Sequence, residues 1–352
     1  MIHKKSRRYN ALIINACGLG DAIIEVPFIN YLQKKVSMNF FHTSNPLFED
    51  IRFVSKIGLS ASFNGNVPPG WRKFDEQDWE DICKFCNEND INLIINFRNF
   101  KVGPSDNYSK FKSFSQSRMS IDFWDSSSIE TKPSMNIRDV ILKILIPHIR
   151  FEGDFNRYFL SEYYTHESNY KNKIIGICMN TPDESKKWEY ERWTILCTKL
   201  VETGYKLKIF AGRLIDEKLK ATELTSILNE KVSESAELVE PSDLNALFLQ
   251  LSKVNTLVSV DTGLVHIATS IKIPVVGIYV STSASVWGGE RQYMHHINSP
   301  HLKECPLYSP KIGICQNKRK PCPLVLKNGS QIEMNTVLDT VSESVIKYLH
   351  EI

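Results

Sequence analysis

Short apolar runs recur along the chain, and segments compatible with helices separate them. Each run has the length and the bounding turn residues of a buried strand. Alternation of strands with helices is typical of parallel sheets that carry helices on both faces. The sequence therefore predicts an α/β protein with doubly wound parallel sheets. These runs are 39–41, 92–97, 174–179, 207–210, 257–260 and 274–279.

The run 257–260 leads directly into Asp261, Thr262 and Gly263, and a helix-compatible segment with His266 follows. A glycine turn between a strand and a helix leaves backbone N–H groups and the positive end of the helix dipole available to a phosphate. Thr262 adds a hydroxyl, and His266 lies one turn further along. The same residues also suit an ordinary capped helix, with Asp261 or Thr262 as the cap.

A second strand, glycine turn and helix unit lies near the N-terminus. The apolar residues 11–14 precede Gly18, Gly20 and Asp21. The dinucleotide-binding pattern is not completed, because Ile23 stands where the third glycine is required. Asp21 is a carboxylate at the mouth of the turn, where it is either a functional group or a favourable helix cap.

The loop after residues 174–179 carries Thr181 and Lys186. A lysine near the carboxyl end of a parallel strand can supply a positive point charge to a diphosphate. Taken alone, Lys186 reads better as a solvated loop residue.

Together these segments resemble the glycosyltransferase family that contains the lipopolysaccharide heptosyltransferases, glycosyltransferase family 9. The resemblance covers most of the chain, and its parts occur in the order that the family has. The matching parts are Gly20-Asp21, Lys186-Lys187-Trp188 with Glu191-Arg192-Trp193, Phe210-Ala211-Gly212, residues 258–268, residues 273–279, and Trp287-Gly288. The segment 258–268 is the most specific of these.

The resemblance implies a GT-B type fold, in which two doubly wound Rossmann-like domains face a central cleft. It implies an acceptor-binding domain over 1–165, a nucleotide-sugar-binding domain over 166–330, and a C-terminal helix over 331–352 that crosses back to the first domain. The polar, aromatic stretch 160–173 has the composition of a connection between halves. Apolar residues recur at helical spacing in the last segment. They are Val337, Leu338, Val341, Val345 and Ile346.

The resemblance also implies inverting, metal-independent sugar transfer, with heptose moved from ADP-heptose to a lipopolysaccharide core or a related surface glycan. It makes Asp21 the base, and it names Lys186 and His266 as the other catalytic residues. The implied donor-binding residues are Thr181, Lys186, Glu217, Asp261, Thr262, Gly263 and His266, with Asp216 an equal candidate to Glu217. The implied acceptor-binding residues are Gly20, Arg98 and Arg118, and the two arginines could equally be surface residues.

Composition agrees with a soluble globular enzyme. The chain has 352 residues, of which 42% are hydrophobic and 24% charged, and its formal net charge of +3 gives no indication of nucleic-acid binding. No apolar run is long enough to cross a bilayer, so a cytoplasmic protein is expected. The basic N-terminus leaves open a peripheral contact with the inner membrane or with an anionic glycolipid acceptor.

Two groups of cysteines are candidates for either a metal site or core packing. Cys83 and Cys86 share an apolar helical face with neighbouring residues, which favours core packing. Cys305, Cys315 and Cys322 lie in a loop rich in proline and lysine, but their spacing is not that of a standard zinc module. We therefore expect neither a bound metal nor a cofactor.

Two other functions remain open from the sequence. One is a different enzyme on the same scaffold, such as a transferase that uses another nucleotide-hexose or a nucleotide-sugar epimerase, since a fold does not fix the donor. The other is a non-catalytic relative that binds nucleotide sugars. The presence of Asp21, Lys186 and His266 argues against the second.

Overall fold

The computed structural model describes most of the chain, and the chain divides between Asn156 and Arg157 into two compact units, the N-terminal and C-terminal domains. The predicted boundary at 165/166 lies outside the described residues and stays a prediction. The described residues are 9–13, 19–36, 39–43, 62–63, 76–97, 106–128, 135–150, 173–212, 214–289, 293–310, 313–315 and 320–350.

The N-terminal domain contains a parallel sheet of five described strands in the order β3-β2-β1-β4-β5. The strands are β1 (Asn10–Ile13), β2 (Asn39–Thr43), β3 (Ser62–Phe63), β4 (Leu93–Ile95) and β5 (Asp122–Trp124). The helices are α1 (Leu19–Val36), α2 (Glu76–Glu88), α3 (Asp106–Arg118) and α4 (Ile137–Leu145).

The C-terminal domain contains a parallel sheet of six described strands in the order β11-β10-β9-β6-β7-β8. The strands are β6 (Ile174–Cys178), β7 (Lys206–Phe210), β8 (Ala236–Val239), β9 (Thr256–Val260), β10 (Val275–Tyr279) and β11 (Met294–Asn298), and a separate hairpin consists of β12 (Tyr308–Ser309) and β13 (Ile314–Cys315). The helices are α5 (Tyr190–Glu202), α6 (Ile215–Lys231), α7 (Leu244–Leu251), α8 (Gly263–Ser270), α9 (Ala284–Trp287), α10 (His301–Glu304), α11 (Pro323–Asn328) and α12 (Met334–His350).

Both sheets change the direction of their strand order at one place. The change falls between β1 and β4 in the N-terminal sheet and between β6 and β9 in the C-terminal sheet. In open parallel sheets, ligands bind beyond the carboxyl ends of the strands at this switch point, because the loops there diverge to opposite faces. The predicted α/β class with doubly wound sheets is confirmed, and the residues after these four strands are the first candidates for a site.

Each domain buries an apolar core against its sheet. In the N-terminal domain, α2 packs its Trp79, Ile82 and Cys86 with residues of α3 and β4. Cys83 is buried on the same helix. The prediction that the Cys83 and Cys86 pair is core material is therefore confirmed.

The last helix, α12, packs against β9, β10, β11 and α5, all within the C-terminal domain. Its Val337 and Val341 are fully buried in that domain's core, as the helical spacing predicted. Its predicted return to the first domain stays a prediction. Of the helices that the structure describes, none is long and apolar enough to cross a membrane.

We expect Leu200→Ala on α5 to lower the free energy of unfolding by about 2–5 kcal/mol, because the truncation leaves a cavity in a close-packed core. Leu200 is 2% exposed and belongs to the C-terminal core. The matched control is Leu219→Ala on α6, where the side chain is 65% exposed and the expected change is within about 0.5 kcal/mol. Urea denaturation of both variants measures the difference, and equal losses would contradict the core assignment.

Candidate functional site

An ion pair lies at the switch point of the C-terminal sheet. Lys186 Nζ donates to Asp261 Oδ2 at 2.7 Å, and Asp261 directly follows β9. Lys186 belongs to the loop after β6, the strand that pairs with β9. The structure thus brings together two residues that the sequence predicted to bind the same donor.

The turn that carries Lys186 is built by its own side chains. Residues Glu184–Lys186 form a single turn of 3-10 helix, which begins after Asp183. The Asp183 carboxylate accepts from the backbone N–H of Ser185 at 3.0 Å and from its hydroxyl at 2.7 Å. Thr181 is buried, and its Oγ1 accepts from the Asp183 N–H at 3.3 Å. Such local capping fixes the turn without help from a ligand.

Asp261 is buried but remains charged. Burial alone would raise the pKa of its carboxyl, but the adjacent Lys186 charge and the hydrogen bonds from Lys186 and Thr282 outweigh burial and lower the pKa below its usual value. The charge of His266 acts in the same direction with a smaller effect. Asp261 therefore stays an anion at neutral pH and fixes the lysine ammonium beside it.

The helix that follows Asp261 begins as the sequence predicted. Thr262 is the N-cap of α8, and its Oγ1 accepts from the Leu264 N–H at 3.3 Å. Gly263 is the first residue of the helix, and His266 is buried one turn later. The capping role of Thr262 is therefore real, and the helix start beside it adds a partial positive charge at the same edge of the sheet.

A cavity of about 250 Å³ lies beside the Lys186 turn, between the loop after β6, the first turns of α5 and α6, and helix α11. Aromatic walls come from Trp188, Tyr190 and Trp193, and polar ones include Asn180 and Glu217. Among the described residues, Glu217 Oε1 and Trp193 Nε1 are buried without a hydrogen-bond partner. An unsatisfied acceptor and an unsatisfied donor around one cavity are costly unless a ligand or water meets them.

The sequence left Asp216 and Glu217 as equal candidates, and the structure separates them. Glu217 is buried, and its Oε2 accepts from the Leu214 N–H at 3.2 Å, whereas Asp216 is exposed. A β-carbon added at Gly212 would lie 2.0 Å from Glu217 Oε2. The glycine that closes β7 is therefore needed to seat this carboxylate.

The N-terminal candidates are only partly brought together. Gly20 and Asp21 lie in the first turn of α1, at the carboxyl edge of β1, and both are partly exposed. Arg98 lies outside the described residues. Arg118 ends α3 at the opposite, amino edge of the sheet, where it stacks on Phe114 and approaches Glu80. Helix α3 runs antiparallel to the strands, so its last residue cannot share an edge with Asp21.

A polar cluster that the sequence did not reveal follows β5. Asp125 Oδ2 accepts from Tyr108 Oη at 2.7 Å and from Lys112 Nζ at 2.9 Å. Lys112 also donates to Ser127 Oγ at 2.9 Å. Burial is the main cause that raises the pKa of Tyr108, and the Asp125 charge adds to it. Because Asp125 neutralises Lys112, this lysine adds little positive charge for an acceptor.

Two other residues that touch the site were not predicted. Thr282 Oγ1 donates to Asp261 Oδ2 at 2.7 Å, and Ser281 Oγ lies 2.9 Å from Ser185 Oγ. Their signal in the sequence is the polar run 281–283, which begins one residue after the strand 275–279. That run ends a parallel strand two places from β6, so its side chains reach the same edge of the sheet.

Cys305, Cys315 and Cys322 take separate positions in the C-terminal domain. Cys315 is buried in β13, Cys322 is buried as the N-cap of α11, and Cys305 is partly exposed. In the described part of the chain, no group of three or more histidine, cysteine or acidic residues is placed to hold a metal ion. The expectation that these cysteines are structural stays a prediction, since residues 316–319 of the same loop lie outside the described part of the chain.

We expect Lys186→Met to destabilise the protein at neutral pH by about 3 kcal/mol, because it leaves the Asp261 charge buried without its partner. The folded pKa of Asp261 is lowered, so the contribution of the pair is complete above the unfolded pKa and is lost as the pH falls through the folded pKa. The deficit should therefore shrink in acid. Urea denaturation from neutral to acidic pH measures this loss of stability. The control is the double variant Lys186→Met/Asp261→Leu, which should restore much of the stability.

Three comparisons place the chain among known proteins. A family model described as glycosyltransferase family 9 (heptosyltransferase) matches residues 153–314. A lipooligosaccharide heptosyltransferase 2 of Haemophilus influenzae is 29% identical over 112 residues, which are 31% of this chain and 32% of that protein. The chain thus matches about a third of the length of this curated relative.

Solved structures resemble the whole chain. Heptosyltransferase WaaC of E. coli with ADP matches with a TM-score of 0.59 at 15% identity, over 95% of this chain and 99% of that one. A family 9 glycosyl transferase from Veillonella parvula matches with a TM-score of 0.61 at 14% identity, over 98% and 99%. These likenesses establish a GT-B type α/β fold. Over residues 153–314, slightly less than half of the chain, the sequence is similar to glycosyltransferase family 9 (heptosyltransferase).

Proposed function

We propose that this protein is an inverting, metal-independent glycosyltransferase that moves heptose from ADP-heptose to a lipopolysaccharide core or a related surface glycan. The observation that carries the proposal is the Lys186–Asp261 pair beside the start of α8, at the switch point of the C-terminal sheet. The pair places a fixed ammonium next to helix N–H groups. Both favour a diphosphate.

Departure of a nucleoside diphosphate is the step that this arrangement serves. The leaving diphosphate gains negative charge as the bond to the sugar breaks, and preorganised positive groups stabilise that charge. In our proposal Lys186, the Thr262 hydroxyl and the Gly263 N–H bind the diphosphate, and His266 supports the same group. Because the protein supplies this charge, the reaction needs no divalent cation.

The acceptor hydroxyl must lose its proton as it attacks the anomeric carbon. We assign this proton to Asp21, whose carboxylate lies at the carboxyl edge of β1. A direct attack assisted by one base inverts the configuration of the sugar. In this proposal Asp261 fixes Lys186 and accepts hydrogen bonds from the hydroxyls of the donor sugar.

The cavity beside the Lys186 turn is our candidate for the nucleoside. Its aromatic walls suit a flat base, and Glu217 Oε1 is a buried acceptor that ribose hydroxyls would satisfy. Trp193 Nε1 is a buried donor on the same cavity. Thr181 contributes by holding the loop that separates this cavity from the ion pair.

The proposed partners are a nucleotide-sugar donor and an anionic glycolipid or glycan acceptor. Gly20 and Arg98 remain the proposed acceptor residues, whereas the position of Arg118 at the amino edge of the sheet gives that residue no support. Work on a lipid-linked acceptor would place the protein in the cytoplasm at the inner membrane, with its basic N-terminus as the peripheral contact.

A transferase for another nucleotide-hexose is the second candidate, because the features above select a diphosphate more strongly than a sugar. A non-catalytic nucleotide-sugar-binding relative is the third. The Asp21 carboxylate at the strand edge favours an enzyme over a binding protein, since binding alone does not need a base.

We expect Asp21→Ala to retain binding of the nucleotide-sugar donor but to lower the transfer rate by about 10²–10⁴-fold, because a general base is lost. Transfer to a truncated lipopolysaccharide acceptor and calorimetric binding of the donor measure the two effects. The matched control is Asp81→Ala, which removes an exposed carboxylate of α2. Near wild-type turnover by the Asp21 variant would remove it from the mechanism.

We expect ADP to bind more tightly than UDP or GDP. Because protein groups hold the diphosphate, the affinity for ADP and the rate of transfer should be unchanged in excess EDTA. Lys186→Ala and Thr262→Val should each weaken ADP binding by roughly tenfold, the effect of a lost charge-assisted hydrogen bond. Titration calorimetry measures the affinities, and a transfer assay with and without EDTA measures the metal dependence. Tighter binding of UDP or GDP would replace the heptose assignment by the hexose one, and loss of transfer in EDTA would contradict metal independence.

A further inference from the structure

Two adjacent hydroxyl residues after β10 contact both halves of the proposed diphosphate site. Thr282 bonds to Asp261, and Ser281 bonds to Ser185 in the turn that carries Lys186. Ser281 is 2% and Thr282 0% exposed, so neither is a surface residue that touches the site by chance.

Thr282 fixes the carboxylate of Asp261. Its Oγ1 donates to Asp261 Oδ2 at 2.7 Å, the same oxygen that accepts from Lys186 Nζ at 2.7 Å. A carboxylate oxygen held by two donors has one orientation, so the position of the ammonium depends on the threonine as well as on the aspartate. Removal of the hydroxyl frees the carboxylate to rotate and the lysine with it.

Ser281 fixes the Lys186 turn from the other side. Its hydroxyl lies 2.9 Å from that of Ser185, which in turn donates to Asp183 Oδ1 at 2.7 Å. The chain of three side chains ties the cap of the turn to the loop after β10. Lys186 is therefore held at its backbone by Ser281 and at its ammonium, through Asp261, by Thr282.

The loop that carries both hydroxyls is itself braced by the β12–β13 hairpin. Cys315 N donates to Ser281 O at 2.9 Å, and Ser283 N donates to Gly313 O at 2.7 Å. Gly313 has φ +62° and lies against Val286, so a side chain there would strain and displace the hairpin. The segment that contains Cys315 thus has a structural role next to the site.

We propose that Thr282 is a positioning residue for the diphosphate site: its hydroxyl orients Asp261, and through it sets the reach of Lys186, while Ser281 aligns the turn. The inference rests on the proposed function for the identity of the ligand but not for the coupling between side chains. The charged groups that face Asp261 are Lys186 from the turn and His266 from α8, and Thr282 faces it from the loop after β10.

A double-mutant cycle in thermal stability tests the coupling without any ligand. Thr282→Val should lower the melting temperature by at least about 3 °C in the wild-type background, and by less than half of that in the Asp261→Ala background, which has no side-chain acceptor for the hydroxyl. Thr282→Ser should restore the wild-type value. The control is Thr256→Val, a fully buried threonine whose hydroxyl bonds to Ser344, and its effect should be the same in both backgrounds.

Equal losses for Thr282→Val in the two backgrounds would overturn the inference, as would a failure of Thr282→Ser to rescue. If the valine variant does not fold, Thr282→Ala, which adds no bulk, replaces it in the same cycle with the same expectations.

ADP is the probe for the effect on the site. Thr282→Val should weaken ADP binding by roughly tenfold and should move the acid loss of ADP affinity to higher pH, because Asp261 loses a donor that lowers its pKa. Thr256→Val should change neither the affinity nor the pH profile. Absence of ADP binding by the wild-type protein would refute the proposed donor while leaving the thermal cycle to decide the inference. Wild-type binding with an unchanged profile in Thr282→Val would refute the inference alone.

Discussion

The Lys186–Asp261 ion pair is the interaction on which the C-terminal site depends. Taking two charges out of water is costly, and the cost is met here because further groups donate to the carboxylate. The pair joins the loops after β6 and β9, the two strands between which the sheet reverses its order. It thereby holds a cation at the place where a parallel sheet already presents the N-terminus of a helix. Electrostatics and topology select the same position.

Much of this arrangement could be read from the sequence. The six apolar runs all occur as strands, and Asp261, Thr262, Gly263 and Lys186 meet as expected, because strand ends in a parallel sheet share one edge. Strands β3, β5, β8 and β11 were missed. They are two to five residues long and all four are edge strands, and β5, β8 and β11 include partly exposed positions, so their periodicity is weak.

What the sequence could not give is the set of contacts between distant segments. Thr282 lies 21 residues from Asp261, and Ser281 lies 96 from Ser185. No spacing rule links such pairs, since side-chain hydrogen bonds depend on where loops end. The acceptor role of Arg118 stays a prediction for a related reason: a basic residue in the N-terminal domain says nothing about the edge of the sheet at which its helix finishes.

The segment Lys186-Lys187-Trp188 and the residues after it make two separate sets of contacts, which the sequence motif does not distinguish. Lys186 turns toward Asp261, whereas Trp188 Nε1 donates to Ser330 Oγ at 3.1 Å and Glu189 Oε1 accepts from the Ser330 N–H at 2.5 Å. Arg192 Nη1 donates to Ile332 O at 2.7 Å. The same short segment therefore serves the site with one residue and anchors the chain before α12 with the next ones.

Each domain contains a buried cysteine whose reaction with a thiol reagent can report local opening of that domain. Cys86 in the N-terminal domain and Cys197 in the C-terminal domain are 1% and 0% exposed, and burial raises the pKa of both thiols. A thiol reagent attacks the thiolate, so neither residue reacts until the backbone around it separates. The labelling rate of each cysteine then reports how often its own domain opens, without a probe being introduced.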